Sequence, residues 1–190
     1  FGPSLNANRT MGSLGGIVAS RIAREFEMGA CGFTVSSEDT SGLNAFNLGF
    51  SSIQRGEIDQ ALVGGVDILS SLQHQLCRSK MGQTHNEHIE DGAVAFVLKD
   101  YEKALEDGNI IIAEVTACQS MTTPEKSPSR SEVFHGAYEG LPELYKAASS
   151  LHMKTSDSKY DSHNRSQGKR QRQVQYTAFD GSYCSVTLVE

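Results

Sequence analysis

Phe33–Asp67 reads FTVSSEDTSGLNAFNLGFSSIQRGEIDQALVGGVD, and it sets the architecture. Phe33, Thr34 and Val35 are strand-prone, and Gly29 and Gly32 break the chain just before them. A sharp turn through Ser36–Thr40 follows. Leu43, Phe46, Phe50 and Ile53 then recur at helical spacing, and Gly56 closes that helix. Ala61–Val66 is a short apolar run, expected to be a strand covered on both faces. Its adjacent glycines predict close approach by a neighbouring element.

Outward from this stretch, helices keep alternating with strands. Residues 12–26 place Leu14, Val18, Ile22 and Phe26 on one helical stripe, with Ile17 beside them. Residues 93–98 form a second buried-type strand. Tyr101–Leu105 makes a helical turn before the Asp107-Gly108-Asn109 turn signal. Ile110–Cys118 reads as a strand and residues 119–132 as a loop rich in Ser, Thr and Pro. Leu141, Leu144, Tyr145, Ala148 and Leu151 mark another amphipathic helix, with Pro142 tolerated in its first turn. Residues 154–173 contain one aromatic and no aliphatic side chain after Lys154, so a mobile loop is expected. Strands around Val174–Thr177 and Cys184–Val189 end the chain, joined through a turn at Asp180-Gly181. The expectation is one layered α/β domain over residues 1–190.

The bulk numbers narrow the function classes. The 190 residues carry 38% hydrophobic and 21% charged side chains, a globular composition. No apolar run approaches the ~20 residues that cross a bilayer, and no secretion signal opens the chain. The net charge of -6 argues against general nucleic-acid binding. Cys31, Cys77, Cys118 and Cys184 are spread too widely for a CxxC metal site, so free thiols and a cytoplasmic location are expected.

These residues resemble a ketosynthase (β-ketoacyl synthase) of the thiolase superfamily. The family's turn runs FTV, three variable residues, a nucleophilic Cys, then small hydroxylated residues. Here it is Phe33-Thr34-Val35, Ser36-Ser37-Glu38, Asp39, Thr40-Ser41. Gln54–Asp59 and Ala61–Asp67 are close to the family's RRGE-D-ALAGGV pattern. Ala19-Ser20-Arg21-Ile22 resembles its preceding helix. Asp91–Lys99 with Ala104–Gly108 resembles its GEGAG…LK…A--DG stretch. Phe179–Ser182 resembles its closing GFGGT loop, which implies a pocket-facing, substrate-binding place for Phe179. The wording Ser-Glu-Asp-Thr-Ser is most similar to non-condensing, chain-length-factor-like ketosynthase domains. The resemblance implies a layered αβα thiolase-like fold, truncated relative to the family.

The departures bear on chemistry. A condensing enzyme is acylated on a cysteine at a helix N-terminus, where the dipole favours thiolate. Two histidines then support decarboxylation of malonyl carrier protein and stabilise the enolate. Asp39 occupies the nucleophile position and cannot readily form the thioester, so it is expected to act as an N-cap or dipole partner. No HGTGT motif holds a first histidine. Arg130 and His135 keep the family's spacing for the second, and Lys146 in the next helix fits after a one-residue deletion, whereas ungapped alignment puts Phe134 there; His135 is thus the remaining catalytic candidate or an ordinary helix-entry histidine. Loss of the nucleophile removes a covalent route.

Other candidates are weaker. His85 and His88 lie three apart in a polar stretch without a third ligand, so a solvated loop is expected and no metal. Lys169-Arg170-Gln171-Arg172 is a basic cluster that reads as a solvated loop, or as a contact for an acidic carrier protein. Ser41 and His135 invite a hydrolase reading, but no GxSxG elbow exists.

The resemblance therefore implies a ketosynthase-like subunit of a fatty-acid or polyketide synthase that lacks condensing activity and helps shape an acyl-chain pocket. Implied partners are a ketosynthase, or a second copy, in a dimer formed through the strand before the turn, and an acyl carrier protein. No cofactor of its own is expected; acyl-phosphopantetheine would arrive on the partner. The alternative is a malonyl-carrier-protein decarboxylase or weakly active β-ketoacyl synthase using His135. A fragment with no stable fold alone is a third expectation left open.

Overall fold

The computed structural model describes residues 4, 6–12, 14–80, 88–89, 91–122, 133–134, 136–138, 140–157, 171–177 and 182–189. The chain divides into two compact units, Phe1–Ser36 and Ser37–Glu190.

In the first unit, α1 spans Ala7–Gly12 and α2 spans Val18–Glu25, entered through a 3₁₀ turn at Gly15–Ile17. The expected helix over 12–26 is thus shorter. Its stripe is present, but Leu14, Val18, Ile22 and Phe26 all face solvent. Phe33–Val35 is not a strand. A strand needs a ladder of paired backbone groups, and no described residue of the chain supplies one. The Thr34 hydroxyl instead donates to the carbonyl of Gly15 at 3.3 Å.

The second unit opens with a 3₁₀ turn at Glu38–Thr40 that runs directly into α3, Ser41–Gln54. Gly56, at φ +69°, ends this helix, with its N–H donating to Ile53 O and that of Glu57 to Ser52 O. Strand β1, Gln60–Asp67, follows, then α4, Leu72–Lys80. The short β2, His88–Ile89, precedes β3, Gly92–Lys99, and α5, Tyr101–Glu106. The Asp100 carboxylate caps α5 by accepting from the Lys103 N–H at 3.2 Å. Then come β4, Glu114–Thr122, and β5, Val133–Phe134. A 3₁₀ turn at Gly136–Tyr138 leads into α6, Leu141–Asp157, and the chain closes with β6, Gln171–Thr177, and β7, Ser182–Val189.

β1 and β3 pair antiparallel from Gln60↔Lys99 to Asp67↔Gly92. β7 lies between β4 and β6, antiparallel to both, with an irregularity between Val115 and Ala117. β2 and β5 pair in parallel. The core joins these parts: Leu43 and Phe46 of α3, Val63 of β1, Tyr138 of the 3₁₀ turn, Leu141, Leu144, Ala148 and Leu151 of α6, and Val186 and Leu188 of β7. Phe46 is 1% exposed and meets Phe96 edge to face at 5.6 Å, which makes it a core residue. Burial of one such side chain is worth about 1.5–3 kcal/mol.

Several expectations need correction. β1 is covered on one face only: Leu62, Val66 and Val97 are 47%, 55% and 70% exposed, because nothing described packs on that side. β4 begins at Glu114, leaving Ile110 exposed, and it runs past the expected loop start because Thr122 still pairs with Ser182. Of the stretch expected to be mobile, 154–157 continue α6 and 171–173 pair with β7; 158–170 lie outside the described residues. The Asp180-Gly181 turn lies outside them too, as do His85–Glu87. The glycine expectation holds in detail. A Cβ on Gly65 would sit 2.7 Å from Tyr138 Cβ and 3.0 Å from Ala137 O. Helix α3 lies as close on the same strand, where a Cβ on Gly49 would meet Val63 Cγ1 at 2.6 Å.

Candidate functional site

The bend before α3 is built by hydroxyl side chains and one strained residue. Glu38 takes φ +49°, a left-handed conformation that costs a non-glycine residue roughly 1–2 kcal/mol. Ser41 Oγ accepts from the Ser37 N–H at 2.9 Å and donates to Glu38 O. Thr40 Oγ1 donates to Ser37 O at 2.8 Å and accepts from Asn44 Nδ2 at 3.2 Å. These bonds stitch residues 37–41 into one tight unit at the head of a helix 14 residues long.

Asp39 sits in the middle of this unit and is 9% exposed. It is not the N-cap: the 3₁₀ turn inserted ahead of α3 puts Thr40 there. The dipole-partner expectation fits the placement, since Glu38 and Asp39 both lie at the amide-rich end.

Facing the bend is the Gly136–Tyr138 turn, which packs on both the Glu38–Thr40 turn and α3. A Cβ on Gly42, in the first turn of α3, would lie 3.0 Å from Ala137 O and 2.7 Å from Leu141 Cδ1. Gly136 has φ +60°, and a Cβ there would lie 2.5 Å from Asp67 Oδ2. Asp67, the last residue of β1, accepts from the Ala137 N–H through Oδ2 at 3.0 Å and from the Ile68 N–H through Oδ1 at 2.9 Å.

A second aspartate braces the neighbouring loop. Asp91 accepts from the Leu69 N–H at 2.7 Å, the Ser70 N–H at 2.8 Å and the Ser70 hydroxyl. The Ser70 hydroxyl above all, then its amide and that of Leu69, hold the Asp91 carboxyl below the usual aspartate range.

Of the residues singled out from sequence, Asp39 is therefore placed against the turn that follows His135. His135, Arg130 and Phe179 themselves lie outside the described residues, and Lys146 is exposed on α6. Sequence reasoning missed the roles of Asp67 and Asp91 and missed α4 altogether. A signal for the aspartates was present: each is an acidic residue at the end of an apolar strand run, where a carboxylate serves loop amides better than water-facing bulk.

The chemistry available at the bend follows from its residue. Attack by a carboxylate on a thioester gives a mixed anhydride, an acyl donor more reactive than the thioester it came from. A thiol at the same point gives an isoenergetic thioester exchange. Among the described residues no group of three or more His, Cys, Asp or Glu side chains could hold a metal ion, and no helix is long and apolar enough to cross a membrane.

Comparison with known proteins agrees with this architecture. A family model described as Beta-ketoacyl synthase, N-terminal domain, matches residues 2–104, more than half of the chain. The chain is 29% identical over 147 residues to the Highly reducing polyketide synthase sphB of Aspergillus fumigatus, covering 70% of this chain and 6% of that protein. It is 30% identical over 116 residues to Probable polyketide synthase 2 of Dictyostelium discoideum, covering 54% of this chain and 4% of that one. The chain thus spans a small part of these relatives. Among solved structures, the ketosynthase from module 6 of the bacillaene synthase of Bacillus subtilis 168 superposes with a TM-score of 0.77 at 13% identity, over 98% of this chain and 53% of that one. A type II polyketide synthase acyl-carrier protein in complex with its ketosynthase bound to the hexaketide matches with a TM-score of 0.72 at 18% identity, over 90% of this chain and 62% of that one. The fold is thiolase-like, and the chain belongs to the β-ketoacyl synthase family, in which it is a ketosynthase-like domain whose homologues are polyketide synthases.

Proposed function

We propose that this chain is a non-condensing, chain-length-factor-like ketosynthase domain of a polyketide or fatty-acid synthase. It would pair with a ketosynthase and help define the space for a growing acyl chain. One observation carries the reading: the bend is held by hydroxyl bonds at the head of a long helix, and a buried carboxylate, Asp39, stands there where the resemblance puts the acylated thiol.

The partners follow from the same reading. Phe33–Val35 has no ladder among the described residues and would supply one edge of a dimer with a ketosynthase or a second copy. An acyl carrier protein would bring the acyl-phosphopantetheine, so the chain would need no cofactor of its own. Phe179 would face the acyl chain. A cytoplasmic setting suits free Cys31 and Cys77.

A decarboxylase remains the second reading, because the turn that begins just after His135 packs against the Asp39 bend. A carboxyl group at residue 39 is a poor neighbour for an enolate oxyanion, which places this reading behind the first. Turnover of malonyl carrier protein separates the two. The proposal expects no carbon dioxide release above background. Sustained release that His135→Ala abolishes would establish the decarboxylase instead.

A further inference from the structure

We infer that Asp67 is a positioning residue whose carboxylate seats the Gly136–Tyr138 turn against the Asp39 bend and so fixes one wall of the site. The inference rests on reading that bend as the family's acyl-loading position.

Asp67 divides its two oxygens between near and far partners. Oδ1 accepts from Ile68, the next residue; Oδ2 accepts from Ala137, 70 positions away. Ordinary loop closure needs only the first bond. The second reaches across to a turn that also packs on the Glu38–Thr40 turn and on α3.

The surfaces around this contact leave almost no slack. The strand side is close enough that a Cβ on Gly65 would lie 2.7 Å from Tyr138 Cβ. The helix side is close enough that a Cβ on Gly42 would lie 3.0 Å from Ala137 O. Gly136 leaves room for the carboxylate itself, at 2.5 Å from where its Cβ would be. A turn held this closely between β1 and α3 transmits the placement of Ala137 to the bend. The half-buried carboxylate anchors its middle amide, that of Ala137. Asn at 67 would keep one acceptor oxygen and turn an NH₂ toward the other amide. It could satisfy Ile68 or Ala137, not both.

The consequence is selective. A loosened turn changes the fit of a long acyl group more than the access of a small reagent. In an Asp39→Cys background, acylation by hexanoyl-N-acetylcysteamine and alkylation by iodoacetamide can be compared at residue 39 by peptide mass spectrometry. In the acylation, the sulfur of the introduced thiol bonds to the acyl carbon, the bond to the N-acetylcysteamine sulfur breaks, and N-acetylcysteamine leaves as its thiol with a proton from solvent. Adding Asp67→Asn should lower the acylation rate relative to alkylation by roughly tenfold. Amide exchange at Ala137 should rise while β1–β3 amides stay protected.

A rate ratio unchanged within about twofold overturns the inference, whatever happens to the melting temperature. If Asp39→Cys takes up no acyl group at all, the reading of the bend fails. Exchange at Ala137, which needs no acyl transfer, then decides the clamp alone, and protection unaffected by Asp67→Asn sinks it. Should Asp67→Asn fail to fold, Asp67→Glu serves instead. It keeps the charge, displaces the oxygens by one methylene, and should produce the same loss.

Discussion

Glu38, Asp91 and Gly136 each make a separable contribution to stability. Glu38→Gly relieves the left-handed φ of +49° at the bend. The gain exceeds the extra unfolded-state entropy of glycine, so stability should rise by about 0.5–1 kcal/mol in denaturant titration. A loss would mean that the Glu38 side chain makes contacts that outweigh its backbone strain. Gly136→Ala meets both a φ of +60° and the Asp67 oxygen at 2.5 Å, and should cost about 2–4 kcal/mol. Gly56→Ala has φ +69° but open space, and should cost only about 1 kcal/mol. Equal losses at the two positions would contradict the tight seating of the turn. Asp91 has its pKa lowered in the folded chain, so its contribution is complete above the ordinary aspartate value of about 3.9 and is lost as pH falls further. Thermal melts of the native chain should therefore fall more steeply below about pH 4 than those of Asp91→Asn. Parallel pH profiles would remove Asp91 from the account. Asp39 was legible from its place in the motif. Asp67 and Gly136 were not, because their partnership joins residues far apart in sequence and depends on φ and reach.

Elements with a strong period read well. The stripe of Leu43 and Phe46 made α3 visible, and Leu141, Leu144 and Leu151 made α6 visible; these side chains are all 2% exposed or less. Leu141→Ala should cost about 2–5 kcal/mol, since it fills the space between α6 and Gly42. A loss below about 1 kcal/mol in equilibrium unfolding would place Leu141 outside the core. Helix α4 escaped because LQHQLCRSK has only two leucines and one cysteine among polar residues, a weak signal for a segment with exposed Leu72 and Leu76. Phe33–Val35 was misjudged for the opposite reason. Its residues favour a strand, yet propensity cannot supply the neighbouring backbone that a strand requires. The apolar run of β1 likewise announces burial on both faces, but only the face toward α3 and the Gly136–Tyr138 turn is covered.

At the scale of the molecule there are two compact units, and the first, Phe1–Ser36, is below the ~40 residues at which a domain usually sustains its own core. It exposes Leu14, Val18, Ile22, Phe26 and Phe33. If pairing uses the 33–35 backbone, Thr34→Pro should weaken self-association or association with a ketosynthase at least roughly tenfold in sedimentation, because proline removes a ladder donor. Unchanged association would move the interface elsewhere. Composition said little about function; the ordered motifs carried the family, and one substituted residue carried the functional reading.

That reading can be tried on the purified native chain, incubated with acyl carrier protein charged with a labelled acyl group and digested for mass spectrometry. Residues 37–41 should remain unmodified, whereas Asp39→Cys should gain the acyl mass on the same peptide. A stable acyl adduct on the native peptide would contradict the account.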